Sequence, residues 1–236
     1  MIRTDSGGVH ATAAALADLA RELHAIADLD PLLERAVECT RSTLTCDCAG
    51  IVVLAGHGID QRRITGSDDR IVEADRLRQV LGEGPDDTPL PTEVIRDTES
   101  ETRWPQWAPR VAAQLGLRSA VSVGLPGQLH LRGALTMYAT RPDAFTTSDQ
   151  ALAKALAAHV AVAVTAVVTA RSLERAIDAR AEVGRAVGVL MERFGISAGE
   201  AFARLRRDSQ IHHVRLRTVA AELLNERPSA GQRLTA

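Results

Sequence analysis

Arginine dominates the most basic stretch of this sequence. Between residues 200 and 217 five arginines stand against two acidic residues, and the five are Arg204, Arg206, Arg207, Arg215 and Arg217. A guanidinium group is planar and permanently charged, and its fork of donors matches phosphate oxygens and also stacks on flat rings. The stretch therefore indicates contact with a polyanion, although a single arginine is more often part of a solvated helix surface.

The basic stretch follows an amphipathic helical pattern. Five apolar residues recur at helical spacing and share one face, namely Val183, Val187, Leu190, Met191 and Phe194. Gly195 accepts the left-handed conformation that ends many helices, and Ser197 with Glu200 has the pattern of a capping box. The sequence therefore predicts two helices joined by a short turn.

Two further apolar faces are predicted after that turn. The second helix is expected to place Ala201, Phe202 and Leu205 toward a core. A third helix has its apolar residues at Leu216, Val219, Ala220 and Leu223. Arg215 and Arg217 stand near its start, where the helix dipole disfavours cations, so local helix stability does not explain them.

The composition is that of a soluble globular protein. The chain has 236 residues, of which 45% are hydrophobic and 25% charged, and its formal net charge is -2. Residues 180–226 are slightly basic, a mild charge asymmetry that either a nucleic-acid module or a solvated helix face could produce. The longest apolar run, 155–168, is too short to span a bilayer. We therefore expect a cytoplasmic protein without a membrane segment, with residues 1–14 as a disordered leader.

Thiol chemistry is limited to Cys39, Cys46 and Cys48. Their odd number and the absence of a CxxC pair argue against a disulfide framework. Cys46 and Cys48 lie two apart in a strand-like run, so their side chains are expected on the same face. A metal or redox site with His57 is the alternative to simple burial, and burial is the commoner fate of a free cysteine. We predict no metal ion and no cofactor.

Residues 15–168 alternate between helices and short strands. Helices are predicted up to residue 29, from Pro31 onward, over 71–81 and before Gly116. Strands are predicted over 49–55, 61–67, 92–98, 117–126 and 131–140. The last two strands alternate well enough to form a hairpin. This order predicts an α+β domain, in which helices cover one face of an antiparallel sheet and the other face is free to form a pocket.

A long final helix is predicted from near Ser148, with no glycine or proline before Gly184. Apolar residues recur along it with nearly the spacing of a coiled coil: Leu152, Leu156, Val160, Ala163, Val167, Ala170, Leu173 and Ile177. We expect residues 148–180 to connect two domains and to pair with a second copy in a homodimer. A tail of about fifty residues buries little core alone, and dimerisation would support it.

The tail resembles an ANTAR domain, the three-helix RNA-binding module of bacterial antiterminators, over residues 173–226. The resemblance rests on "AVGVLMERFGIS", "EAFARLRRDSQ" and "RLRTVAAELL", in this order. It implies a core of Val183, Ala186, Gly188, Leu190, Met191, Ala201, Phe202, Leu205, Leu216, Val219 and Ala220. It also implies RNA stem-loops as the partner, and the residues expected to contact them are Arg180, Arg185, Arg206, Arg207, Gln210, Arg215 and Arg217.

Residues 15–168 resemble a GAF domain of the kind fused to ANTAR modules. The resemblance rests on "LGEGP", "RWPQWAP", "LRSAVSVGLP" and the segment that begins "GALTMYATRPDAF". It implies a sensor domain with an unknown ligand or signal. The connecting helix 148–180 then overlaps both domains, and residues 227–236 are expected to form a flexible tail.

The sequence contains no catalytic motif of the HExxH, GxSxG or P-loop type. We therefore expect a signal-responsive, RNA-binding regulator of transcription antitermination and not an enzyme. One alternative is a small-molecule sensor whose helical tail serves dimerisation or protein interaction without RNA. Another is a DNA-binding helix-turn-helix, because the turn at "FGIS" has a suitable length.

Overall fold

The computed structural model describes residues 16–54, 59, 61–85, 92–126 and 131–225. The chain divides into two compact units, Met1–Ala170 and Arg171–Ala236. Each unit has its own hydrophobic core, so each is described by itself. The predicted leader and flexible tail lie outside the described residues.

Two helices open the first unit. Residues 16–24 form α1, which ends before the predicted residue 29, and Leu29–Thr43 forms α2. Helix α2 begins two residues before Pro31 because proline is tolerated in the first turn of a helix. Its buried side chains recur at helical spacing and form one apolar face toward the core: Leu29, Leu32, Leu33, Ala36 and Val37.

Five antiparallel strands form the sheet of the first unit. They are β1 (Cys48–Val53), β2 (Arg63–Gly66), β3 (Glu93–Ile95), β4 (Ser119–Gly124) and β5 (Gly133–Ala139), in the spatial order β2-β1-β5-β4-β3. The predicted pairing of β1 with β2 and of β4 with β5 is confirmed. Residues 127–130, where the second hairpin was expected to turn, lie outside the described part of the chain.

Both faces of the sheet are covered. Side chains alternate between the faces of a strand, so that Val121 and Met137 join one core with α1 and α2, while Ala120 and Tyr138 join a second. The second core lies against α3 (Asp69–Leu81) and α4 (Trp107–Leu115). The expectation of one free sheet face is therefore wrong, because these two helices pack on it.

Trp107 joins the two helices on this second face. Its side chain is fully buried, and its Nε1–H donates a hydrogen bond to the carbonyl oxygen of Ala74 at 3.0 Å. The carboxylate of Glu83, next to the left-handed C-cap Gly82 of α3, accepts from the backbone N–H of Gln106 at 2.8 Å. These contacts fix α4 against α3.

The long helix α5 spans Thr147–Phe194. Its N-cap is Thr146 and not Ser148. The Thr146 N–H donates to Asp149 Oδ2 at 2.8 Å, and the Thr146 hydroxyl oxygen accepts from the Asp149 N–H at 3.2 Å. Length and composition alone would allow α5 to cross a membrane, and half of its most apolar window is buried inside the protein. A long apolar helix in the core of a globular unit has the same length and composition.

The predicted coiled-coil residues of α5 fall into two groups. Those from Leu152 to Val167 pack in the core of the first unit, four of them buried and Leu152 partly buried. Ala170, Leu173 and Ile177 are exposed. The long helix fits a coiled coil, but only the exposed group is free to contact a partner.

The described part of the second unit consists of the end of α5 and two short helices. Helix α5 ends at Gly195, whose φ of 64° is the left-handed conformation that glycine accepts without strain. Helix α6 is Ala198–His212 and helix α7 is Leu216–Asn225. The predicted capping box is confirmed, because Ser197 and Glu200 each accept the other's backbone N–H.

We expect Trp107→Phe to destabilise the first unit by about 2 kcal/mol, since it removes a buried hydrogen bond and part of a buried ring. Urea unfolding followed by far-ultraviolet circular dichroism measures this loss. Trp104→Phe is the control, because Trp104 is only partly buried and should lose less than about 1 kcal/mol. Equal losses in the two variants would contradict the anchoring role of Trp107.

Candidate nucleic-acid interface

A small core holds the three helices of the second unit together. Its buried residues are Ala186, Leu190, Ala201, Leu205 and Ala220, and Val183, Val187, Leu216 and Val219 pack partly buried against them. Three of the five buried residues are alanines, so the core is small.

Three residues predicted for this core lie outside it. Met191 is 38% and Phe202 43% exposed. Phe202 lies about 100° around α6 from buried Ala201, which carries its ring out of the narrow apolar arc. Gly188 is exposed as well, and a Cβ added there would meet nothing within 4 Å, so among the described residues it makes no close helix crossing.

The exposed face of α6 carries three of the residues predicted to bind RNA. Arg206, Arg207 and Gln210 are all exposed. They fall within an arc of about 100° on the side of α6 opposite Ala201 and Leu205. The structure therefore places two guanidinium groups and one amide on a single solvent-facing surface, which we call the α6 face.

The two arginines at the start of α7 differ in their surroundings. Arg215 is exposed just before the helix. The Nε–H of Arg217 donates to Glu182 Oε2 at 2.6 Å, which joins α7 to α5. This ion pair supplies the stabilising partner that local helix geometry does not give Arg217.

Arg180 and Arg185 lie on different sides of α5. Both are exposed, but five residues of helix separate them by about 140° around the axis. Arg180 lies on the side of Ile177 and Gly184, at spacings of three and four residues. The seven predicted RNA contacts therefore do not form one surface, and only the α6 face groups several of them.

A cavity of about 550 Å³ opens between the ends of the three helices. Its apolar wall includes Leu190, Phe194, Leu205, Val219 and Leu223, and its polar wall includes Arg193, Arg204, Asp208, His212 and Glu222. The Arg204 guanidinium carbon lies 4.2 Å from the centroid of the Phe194 ring. Sequence reasoning missed this cavity, although Arg204, Asp208 and His212 recur every four residues and so share one side of α6.

The first unit has a much smaller cavity between the sheet and its second core. Its volume is about 30 Å³, and its walls include Ile71, Trp107 and Tyr138. A space of this size holds about one water molecule. The pocket expected on this face is therefore nearly filled by side chains.

Two family comparisons assign these units. The sequence model of the GAF domain matches residues 26–165, and that of the ANTAR domain matches residues 171–224. The chain belongs to the GAF and ANTAR domain-containing proteins. Both domains are regulatory, and their combination makes the chain a signal-sensing regulator. No curated protein sequence matches it.

Solved structures share the fold of the GAF domain. A domain of a two-component sensor histidine kinase protein from Sinorhizobium meliloti matches with a TM-score of 0.50 and 17% identity, over 63% of this chain and 97% of that one. The bacteriophytochrome RpBphP3 from R. palustris matches with a TM-score of 0.50 and 12% identity, over 88% of this chain and 47% of that one. At such identities the likeness shows the fold alone.

Cys46 and Cys48 of the GAF domain face different cores. Strand β1 starts at Cys48, which faces the second core, whereas Cys46 precedes the strand and packs against the first core. The expectation that both side chains face the same way is wrong, because strand alternation does not extend to Cys46. Among the described residues no group of three or more His, Cys, Asp or Glu could hold a metal ion; His57 lies outside them.

Burial also makes these thiols weaker acids than free thiols. It raises the pKa of Cys46 to about 11 and that of Cys48 to about 12, and it raises the pKa of Cys39 as well. The folded chain then holds these protons more tightly than the unfolded chain. Their contribution to stability is present below pH about 8.5, the ordinary thiol value, and is lost at higher pH.

We expect Cys46 and Cys48 in the native protein to react with iodoacetamide at pH 7.5 about a hundredfold more slowly than in urea, since the thiolate is the reacting species. Mass spectrometry of time points measures the rate at each cysteine. The urea-unfolded protein is the control. Rapid native alkylation of Cys46 or Cys48 would mean that the thiol is ionised and accessible.

Proposed function

We propose that this chain is a signal-responsive RNA-binding regulator of transcription antitermination. Its ANTAR domain binds RNA stem-loops, and its GAF domain senses an unknown small molecule or signal. The observation that carries the proposal is the α6 face, where Arg206, Arg207 and Gln210 point together into solvent. We propose further that the protein is cytoplasmic, is not an enzyme, and needs neither metal nor cofactor.

The chemistry of the α6 face suits an RNA hairpin. Guanidinium groups bind phosphates and stack on unpaired bases, and RNA-binding proteins recognise such bases in loops. The Gln210 amide carries both a donor and an acceptor, which a base edge requires. Arg215 and Arg185 are exposed cations of the same domain and extend its basic surface. Arg217 is held by Glu182, and we assign it mainly to orienting α7.

We also propose that the regulator is a homodimer. Within the second unit Leu173 and Ile177 are 61% and 56% exposed. Together with Gly184 and Met191 they recur at spacings of four and seven residues, the pattern of a coiled-coil seam. A second copy of the same helix would cover this stripe. Arg180 lies within the stripe, so we assign it to the dimer contact and not to RNA.

The alternative without RNA has one observation in its favour. Phe202 and Ile211 are 43% and 62% exposed on α6, and exposed apolar side chains on a helix are typical of protein contacts. In that case the ANTAR domain would act through a protein partner or through dimerisation alone. A preference for duplex DNA would instead favour the helix-turn-helix alternative.

We expect Arg206→Gln with Arg207→Gln to weaken binding to tandem RNA hairpins about tenfold or more. The dependence of affinity on salt should become shallower by about 0.7 per lost phosphate contact, because fewer counterions are released. Fluorescence anisotropy at several salt concentrations measures both quantities. Single hairpins and a DNA duplex of the same length serve as competitors.

Arg76→Gln is the matched control, since Arg76 is an exposed arginine of α3 that pairs with Glu73 in the GAF domain. It should leave RNA affinity unchanged. Equal effects of the two substitutions would contradict the assignment of the α6 face. If the full chain and the wild-type tail both fail to bind RNA, the alternative without RNA is favoured.

We expect Ile177→Asp to shift the protein from dimer to monomer, because a carboxylate in an apolar seam must be desolvated. Its dimer affinity should fall at least about tenfold, as measured by sedimentation equilibrium. Ala176→Asp is the control, since Ala176 is exposed and lies about 100° away around the helix. A wild-type protein that sediments as a monomer at tens of micromolar would refute the seam.

A further inference from the structure

The cavity of the ANTAR domain, bounded by Phe194 and Arg204, is separate from the α6 face. Its volume of about 550 Å³ lies within the range of about 300–1,000 Å³ that is usual for ligand sites. Arg204 and Asp208 line it from α6, whereas Arg206 and Gln210 lie on the opposite flank of that helix. The cavity therefore offers a second set of contacts.

A flat cationic platform forms one wall of this cavity. The Phe194 ring is 46% exposed, although it is one of the largest apolar side chains in the unit. The Arg204 guanidinium group covers this ring at 4.2 Å. Aromatic rings and guanidinium planes are the two surfaces on which proteins stack unpaired nucleobases. The platform is thus suited to a flat aromatic guest.

The polar wall of the cavity contains two carboxylates beside its basic side chains, and a phosphate guest would not require carboxylates. Asp208 on α6 and Glu222 on α7 both line it. No hydrogen bond or ion pair joins either carboxylate to another residue within the described part of the chain. An ionised carboxylate only accepts hydrogen bonds, so it pairs with a guest that presents N–H donors. Guanine presents two such donors side by side, at N1 and N2.

We propose that this cavity binds one unpaired guanine from an RNA loop, with the base stacked on the Phe194–Arg204 platform and its N1–H and N2–H donated to Asp208. The proposal rests on the RNA-binding function proposed above and adds a base-reading site to it. The α6 face then contacts phosphates and sets affinity, whereas the cavity sets sequence preference. A protein guest would not need this combination of a stacking platform with acceptors for two neighbouring donors.

The test uses the full chain and a pool of RNA hairpins with randomised loops, followed by selection and sequencing. Wild-type protein should enrich guanine at one loop position. A hairpin with inosine at that position, which lacks the N2 amino group, should bind about tenfold more weakly, a loss typical of one base contact. Asp208→Asn should bind the guanine and inosine hairpins equally.

Phe194→Leu should lower the affinity for the selected hairpin about fivefold to a hundredfold, the range expected for loss of one stacked base. Phe202→Leu is the matched control, because Phe202 is similarly exposed, at 43%, but lies about 160° around α6 from Arg204. Phe202→Leu should leave the affinity for the selected hairpin unchanged. Neither phenylalanine belongs to the buried core cluster, so both variants should keep the thermal unfolding midpoint of the wild type.

Three outcomes would overturn the proposal, and they are distinguishable. Unchanged guanine preference in Asp208→Asn and Phe194→Leu, while Arg206→Gln weakens binding, would leave the RNA function standing without the guanine site. A change in sedimentation of Phe194→Leu with no change in RNA binding would make the cavity a protein contact. Absence of RNA binding by the wild type at low salt would reject both proposals.

Discussion

Both hydrophobic cores depend on burial of side chains from one unbroken helix, α5. Its N-terminal half contributes Leu156 and Val160 to the core of the GAF domain, and its C-terminal half contributes Ala186 and Leu190 to that of the ANTAR domain. The capping contacts of Thr146 begin the helix, and the left-handed Gly195 ends it. Helical continuity matters most for the ANTAR domain, because a three-helix unit of its size buries little apolar surface.

The small core of the ANTAR domain leaves several large apolar side chains at the surface of the domain. Phe194, Met191 and Phe202 do not belong to this core and are 46%, 38% and 43% exposed. Exposed aromatic and apolar groups then lie beside the arginines of α6. The Arg217–Glu182 ion pair holds α7 in place from outside the core.

Sequence periodicity predicted most elements because each has one apolar face and a recognisable end. It identifies the apolar side of a helix but not the partner that covers it. The coiled-coil pattern of α5 therefore merged residues such as Val160, which pack in the GAF core, with Ile177, which is exposed. Likewise the Phe194–Arg204 contact joins residues across a turn, and no local rule relates their side chains. The same limit explains Cys46, whose direction depends on where β1 begins.

The filled second face of the GAF sheet constrains how a signal can act. A cavity of about 30 Å³ beside Trp107 is at least tenfold smaller than a usual ligand site. A larger ligand that enters this face must displace the Trp107 ring, whose burial is worth about 3–5 kcal/mol. Such a ligand binds only the minor, opened state, and its apparent affinity is reduced by the population of that state.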